Sequence, residues 1–156
     1  MLTFDIPGFK PLRLGHLVLD YNGTLACDGR VIDGVKDRLQ TLAHDLRLHV
    51  ITADTFGTVR QALQGTPCEI AVLPVEDQDT AKLRYVERLG PDRCACIGNG
   101  RNDRLMLKAA ALGIAVMQEE GAAVEALVSA DAVLPDIRAA LDLLANPLRL
   151  IATLRS

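Results

Sequence analysis

The chain has 156 residues, a formal charge of −3 and a composition that is 49% hydrophobic with no tryptophan. That length sets one domain over residues 1–156 as the default and leaves room for a sizeable core. The mild acidity, without a basic stripe interleaved with aromatics, argues against nucleic acid. No apolar run approaches the roughly 20 residues that span a bilayer, which argues against a membrane. The N-terminus has no basic region ahead of an apolar core, so cytoplasmic location is the default expectation.

Residues 1–14 alternate loosely around Ile6-Pro7-Gly8 and predict a small β-hairpin or extended arm. The apolar run His16-Leu17-Val18-Leu19 predicts a buried parallel strand that ends abruptly in Asp20. Residues 26–32 read as a short polar connection, and Asp33 as the N-cap of a helix with Val35, Leu39, Leu42 and Leu46 on one side. A second strand, 48–51, runs into Thr52-Ala53-Asp54, where Asp54 or Thr55 can cap a helix carrying Val59 and Leu63. A third strand is expected over 69–75 and a helix over 79–89, with Lys82 near its start and Gly90-Pro91 as its stop. A strand at 94–97 then leads into Gly98-Asn99-Gly100-Arg101-Asn102-Asp103. After it come a helix at 105–112 stopped by Gly113, a strand at 114–117, a helix at 121–129, a short strand at 132–134 and a helix at 137–145. Pro147 separates the last of these from a terminal helix.

This alternation from residue 16 onward predicts an α/β fold: a Rossmann-like, doubly wound, mainly parallel sheet with helices on both faces. The four cysteines, Cys27, Cys68, Cys94 and Cys96, read as small thiols in a reducing compartment. Cys94 and Cys96 would share one strand face, which is not a tetrahedral metal set.

Polar residues gather where strands end. In a doubly wound sheet those ends share one rim, so Asp20, Asn22-Gly23-Thr24, Thr52 to Asp54, Lys82 and the 98–103 loop can meet. Gly23 allows a tight turn whose N–H groups point at an anion. In that arrangement Asp20 attacks, Thr52 binds an equatorial oxygen and Lys82 neutralises charge on the transferred group. Asp103 would sit beside a Mg²⁺, a hard ion that prefers oxygen ligands. Taken singly, each has a plainer reading: Asp20 as a turn starter, Thr52 and Asp54 as turn and cap, Lys82 as a solvent-facing helix lysine, Gly98-Asn99-Gly100 as a tight turn.

Their joint order resembles the haloacid dehalogenase superfamily of aspartate-nucleophile phosphotransferases. Within it the chain is most similar to the phosphorylation domain of P-type ATPases and to small soluble proteins like that domain. Asp20-Tyr21-Asn22-Gly23-Thr24 matches the family's D-x-D/T-G-T, and Thr52-Ala53-Asp54 matches the ATPases' T-G-D. Lys82 matches the lysine that opens a helix, and the 98–103 loop matches G-D-G-x-N-D. The resemblance implies catalytic roles for Asp20, Asn22 and Lys82. It implies phosphate binding by Gly23, Thr24, Thr52, Ala53 and Asn102, and Mg²⁺ held by Asp20, Asn22 (through its carbonyl), Asn99 and Asp103. The expected activity is a Mg²⁺-dependent phosphatase or phosphotransferase acting through an aspartyl-phosphate on a phosphorylated substrate.

Two residues depart from the family. Asn22 stands where its phosphatases have an Asp that protonates the leaving group, and an amide has no ionisable proton near pH 7. Asn99 stands where a metal-ligating Asp is usual, so the site is less negative. The pair opens an alternative: a degenerate, non-catalytic member that binds phosphate or a protein partner. Little sequence is inserted at the family's two cap positions, so no cap domain is expected. An open rim leaves self-association into a homo-oligomer open.

Overall fold

The computed structural model describes residues 1–54 and 57–156. The Thr55 alternative for a helix cap lies outside the described residues. The chain opens with an antiparallel hairpin, β1 (Leu2–Phe4) and β2 (Leu12–Leu14), with Leu2 opposite Leu14. It leads directly into β3 (His16–Asp20). Next comes a small antiparallel ribbon, β4 (Ala26–Cys27) with β5 (Arg30–Val31), and then α1 (Val35–Leu42). β6 (Arg47–Thr52), α2 (Thr58–Ala62), β7 (Cys68–Val72) and α3 (Gln78–Leu89) follow. The second half runs β8 (Cys94–Gly98), α4 (Arg104–Ala109), β9 (Leu112–Val116), α5 (Val124–Ser129), β10 (Ala132–Leu134), α6 (Ile137–Ala145) and α7 (Pro147–Leu154).

Among the described residues the central sheet has six strands in the order β10-β9-β8-β3-β6-β7, every neighbouring pair parallel. The chain fills one side of β3 first and then crosses back to place β8 on the other. The strand order therefore reverses between β3 and β8. In open α/β sheets the crevice at the carboxyl ends of such a pair is where ligands bind, and Asp20 and Gly98 are the last residues of these two strands.

Strand alternation divides the core. Leu17, Leu19, Leu48, Val50, Ala95 and Ile97 face one side, where they join Val35 and Leu39 of α1, Leu141 and Leu144 of α6, and the hairpin's Phe4, Leu12 and Leu14. Val18, Ile51, Cys94 and Cys96 face the other, against Val86 of α3, Met106 and Leu107 of α4, and Ala126 of α5. Asp20 has the parity of Val18, so it points to the α3–α4 side. The hairpin is part of the main core, with Phe4, Leu12 and Leu14 buried.

The doubly wound parallel sheet and the N-terminal hairpin are as expected, but several boundaries move. α1 is capped by Gly34 in the left-handed region rather than by Asp33. The polar connection after β3 contains the β4–β5 ribbon. The expected 69–75 strand ends at Val72. α4 ends at Ala109, and Leu112 already pairs with Ala95 in the sheet. Gly113, read as a helix stop, lies inside β9, where an added Cβ would collide with the Leu107 carbonyl. Its role is close approach of helix to strand. α5 starts at Val124 because Gly121 sits at φ 75, outside helical space.

Candidate active site

β3 delivers Asp20 to the rim at 7% exposure. The chain then turns sharply. Thr24, Leu25 and Ala26 all donate their N–H to the Tyr21 carbonyl, and Gly23 donates to the Ala26 carbonyl. Gly23 takes φ 77, a conformation a side chain would strain, and a Cβ there would run into the Asn99 amide. Thr24 is fully buried, with its hydroxyl 3.2 Å from Asp20 Oδ2 and 3.3 Å from Asn99 Oδ1. The Asn22 side chain is exposed at the mouth.

Lys82 lies one turn inside α3, on the face packed against the sheet, at 2% exposure. Its Nζ donates to Asp20 Oδ1 at 2.7 Å and to Asp103 Oδ1 at 2.6 Å. The solvent-facing reading of this lysine is excluded. Asp103 has no exposed surface, and its other oxygen accepts the N–H groups of Asn99 (3.0 Å) and Gly100 (2.8 Å). Gly98 makes room for this carboxyl: a Cβ there would lie 2.5 Å from Asp103 Cγ. Asp103 was expected beside a metal. Here both of its oxygens are engaged, one bracing the 98–103 loop and one holding Lys82.

Burial pushes the Asp20 carboxyl up to about 7, with the neighbouring Asp103 charge adding to the rise and Lys82 opposing it. Burial pulls Lys82 down, but the two carboxylates outweigh it and keep its ammonium protonated. The Asp20 carboxyl is thus poised near neutrality.

Thr52 ends β6, one residue past Ile51, the register partner of Asp20. Its Oγ1 accepts the Asp54 N–H at 3.1 Å, and Asp54 Oδ2 accepts the Val59 N–H of α2 at 3.0 Å. Asp54 thus reaches the first turn of α2, whose N-cap residue is Gly57 in the left-handed region. Ala53 joins Asn22, Tyr21, Asp54 and Thr58 in lining a cleft of about 420 Å³ at the mouth. Asn102, expected at the phosphate, donates its amide to Gln78 at the start of α3 (2.9 Å). Beside this brace from the 98–103 loop to α3, the Asp79–Arg104 pair (2.6 Å) ties α3 to α4. Both set where Lys82 stands.

Asp20 Oδ2 and Asn99 Oδ1 converge on the Thr24 hydroxyl, and oxygen donors of this kind fit a hard divalent cation. Among the described residues no group of three or more His, Cys, Asp or Glu is assembled to hold a metal, so few anionic ligands are on offer. The Asn99 amide nitrogen donates to the Gly121 carbonyl at 3.0 Å, a contact a carboxylate could not make. Sequence motifs did not mark Gln78, Asp79, Arg104 or Gln118; they act by holding other residues, and no spacing rule announces that.

No protein-family profile matches the chain. Its fold is that of the hydrolases of the haloacid dehalogenase superfamily. One such structure is 3-deoxy-D-manno-octulosonate 8-phosphate phosphatase from Moraxella catarrhalis, solved with magnesium, phosphate and KDO. It is 22% identical, with a TM-score of 0.67 over 90% of this chain and 92% of that one. The catalytic domain of the CPx-ATPase CopB-B is 23% identical, with a TM-score of 0.62 over 74% of this chain and 46% of that one. By sequence, the chain belongs to the same family as the uncharacterized protein MJ0073 of Methanocaldococcus jannaschii. The two are 48% identical over 79 residues, which span 48% of this chain and 85% of that protein.

Proposed function

We propose that the protein is a phosphatase or phosphotransferase in which Asp20 is the nucleophile. The observation that carries this reading is the buried Asp20–Lys82–Asp103 cluster, with Nζ···O distances of 2.6–2.7 Å, set at the switch point of the sheet. A carboxylate held there by one cation is aimed at a crevice, and the same cation can neutralise charge on a phosphoryl oxygen. The hydroxyls of Thr24 and Thr52 supply donors for the other oxygens. The bond from Asp20 oxygen to phosphorus forms as the bond to the leaving oxygen breaks. Asn22 cannot give that oxygen a proton, so good leaving groups are favoured and the aspartyl-phosphate is long-lived. Mg²⁺, held by Asp20, the Asn22 carbonyl and Asn99, would supply charge neutralisation for the phosphoryl group. Asp103 serves this site by fixing Lys82 and the 98–103 loop.

The phosphorylated substrate approaches through the open mouth beside Asn22 and Ala53, with no cap domain over it. The short β4–β5 ribbon between Asp20 and α1 supports that reading. A cytoplasmic location suits it too, and among the described residues no helix is long and apolar enough to cross a membrane.

Hydrolysis of an aryl phosphate with and without Mg²⁺, beside an Asp20→Ala control, tests the proposal. Metal-dependent turnover lost in the control is the expected result; a folded protein with no turnover above the control contradicts it. The second reading, a non-catalytic binder, is favoured by one observation, the amide-specific contact of Asn99 with Gly121. Activity appearing only in the Asn22→Asp, Asn99→Asp variant would support that second reading.

A further inference from the structure

The connection between β9 and α5 contributes one side chain to the turn that follows Asp20. Gln118 Nε2 donates to the carbonyls of Gly23 (2.7 Å) and Thr24 (2.8 Å), and its Oε1 accepts the N–H of Ile137, the first residue of α6, at 2.9 Å. Every hydrogen-bonding group of the amide is therefore used. The Ile137 N–H is one of the helix-start donors that has no partner within the helix. The amide thus ties the turn after Asp20 to a core-packed helix on the far side of the crevice.

The backbone at this residue points the same way. Gln118 stands at φ 41, a left-handed conformation unfavourable for a residue with a side chain. It is held there by hydrogen bonds from its own N–H to the Pro135 carbonyl and from the Gly121 N–H to its carbonyl. Such strain persists where the surroundings over-determine it, and it clusters at functional sites.

We propose that Gln118 is a positioning residue for the Asp20 reaction, fixing through two carbonyls the turn that sets the Thr24 hydroxyl against Asp20. This rests on the phosphoryl-transfer reading above. Peptide planes are rigid, so anchoring the Gly23 and Thr24 carbonyls also fixes the N–H groups of the following residues. Catalysis by a donor such as the Thr24 hydroxyl depends on its being in place before the reaction.

The test compares Gln118→Glu and Gln118→Met with Asp136→Ala. Glu keeps an acceptor for Ile137 but sets a carboxylate oxygen against the two loop carbonyls; Met removes all three contacts at similar length. Asp136→Ala removes the α6 cap to Ala139 and leaves the turn untouched. Two readouts are taken: amide hydrogen exchange at Thr24 and Leu25, and kcat and KM on an aryl phosphate. The expected result is roughly tenfold or faster exchange at both loop amides in the Gln118 variants, and a kcat reduced by a similar factor with KM little changed. Asp136→Ala should loosen α6 alone. Unchanged loop exchange in both Gln118 variants overturns the proposal, as does faster exchange with unchanged kcat. If the wild type turns over no substrate, the phosphoryl-transfer reading fails, and Gln118 is then judged on loop exchange alone.

Discussion

Lys82 is the residue on which most depends. It is the buried cation between two buried carboxylates, and removing it leaves both without their partner. Lys82→Ala is expected to cost about 3–5 kcal/mol of stability as well as activity, read by denaturant unfolding. Asp20→Asn behaves differently, since Lys82 keeps its contact with Asp103. The Asp20 carboxyl titrates at about 7 in the fold against 3.8 in the unfolded chain. Between those values the folded state binds more protons, so stability falls as pH rises, and the penalty is complete above about 7. In metal-free buffer Asp20→Asn is therefore expected to raise the unfolding midpoint at neutral pH, with the advantage shrinking as pH approaches 4. A variant that is less stable at neutral pH contradicts this account. That Asp20, Lys82 and the 98–103 loop converge was legible from their order along the chain. That Asp103 is braced by two N–H groups and Lys82, and that Asn102 holds Gln78, was not. Both depend on distances between elements that a motif does not encode.

Elements hold the site through a few tight contacts. Gly113 lets β9 approach α4, and Gly113→Ala would press a methyl onto the Leu107 carbonyl. It is expected to cost about 1–3 kcal/mol, by thermal or denaturant unfolding. Far from the rim, His16 of β3, His49 of β6 and Tyr85 of α3 form a chain, with ring nitrogens 3.0 Å apart and His49 Nδ1 2.9 Å from the Tyr85 hydroxyl. Burial lowers both histidines. Glu69, 3.6 Å from His49, opposes this, while Arg93 and Arg47 near His16 and Arg47 near His49 reinforce it. Their stabilising effect is full above the unfolded value of 6.5 and is lost as pH falls through the lowered folded values. Asp20 titrates with the opposite sign, so the loss is to be measured in the Asp20→Asn background. There, unfolding midpoints should drop on acidification from about 7 to about 5, and less so in an added His49→Gln variant. Strand and helix existence was readable from periodicity. The ends at Ala109 and Val124 were not, because the sheet register of Leu112 and the φ of Gly121 decide them.

At the scale of the whole molecule, the fold places Asp20 and Lys82 at the switch point but, among the described residues, offers a metal few anionic ligands. Mg²⁺ is accordingly expected to bind weakly, and Asn99→Asp alone to help little, since it sets a carboxylate against the Gly121 carbonyl. Titration calorimetry with Mg²⁺ on both proteins checks this, and markedly tighter binding by the variant contradicts it. The doubly wound architecture was legible in the sequence because the central strands are mostly short apolar runs and the longer crossover helices carry apolar stripes. The clasp of Gln118 across the crevice was invisible there, since QEEG reads as an exposed polar loop. The central claim is that Asp20 takes up a phosphoryl group. Its most direct test is intact-protein mass spectrometry after incubation with acetyl phosphate and Mg²⁺ and an acid quench. The account predicts a gain of one phosphoryl group, located on Asp20 by peptide mapping and absent from Asp20→Ala. A folded wild type that gains nothing, or gains it equally in Asp20→Ala, would contradict it.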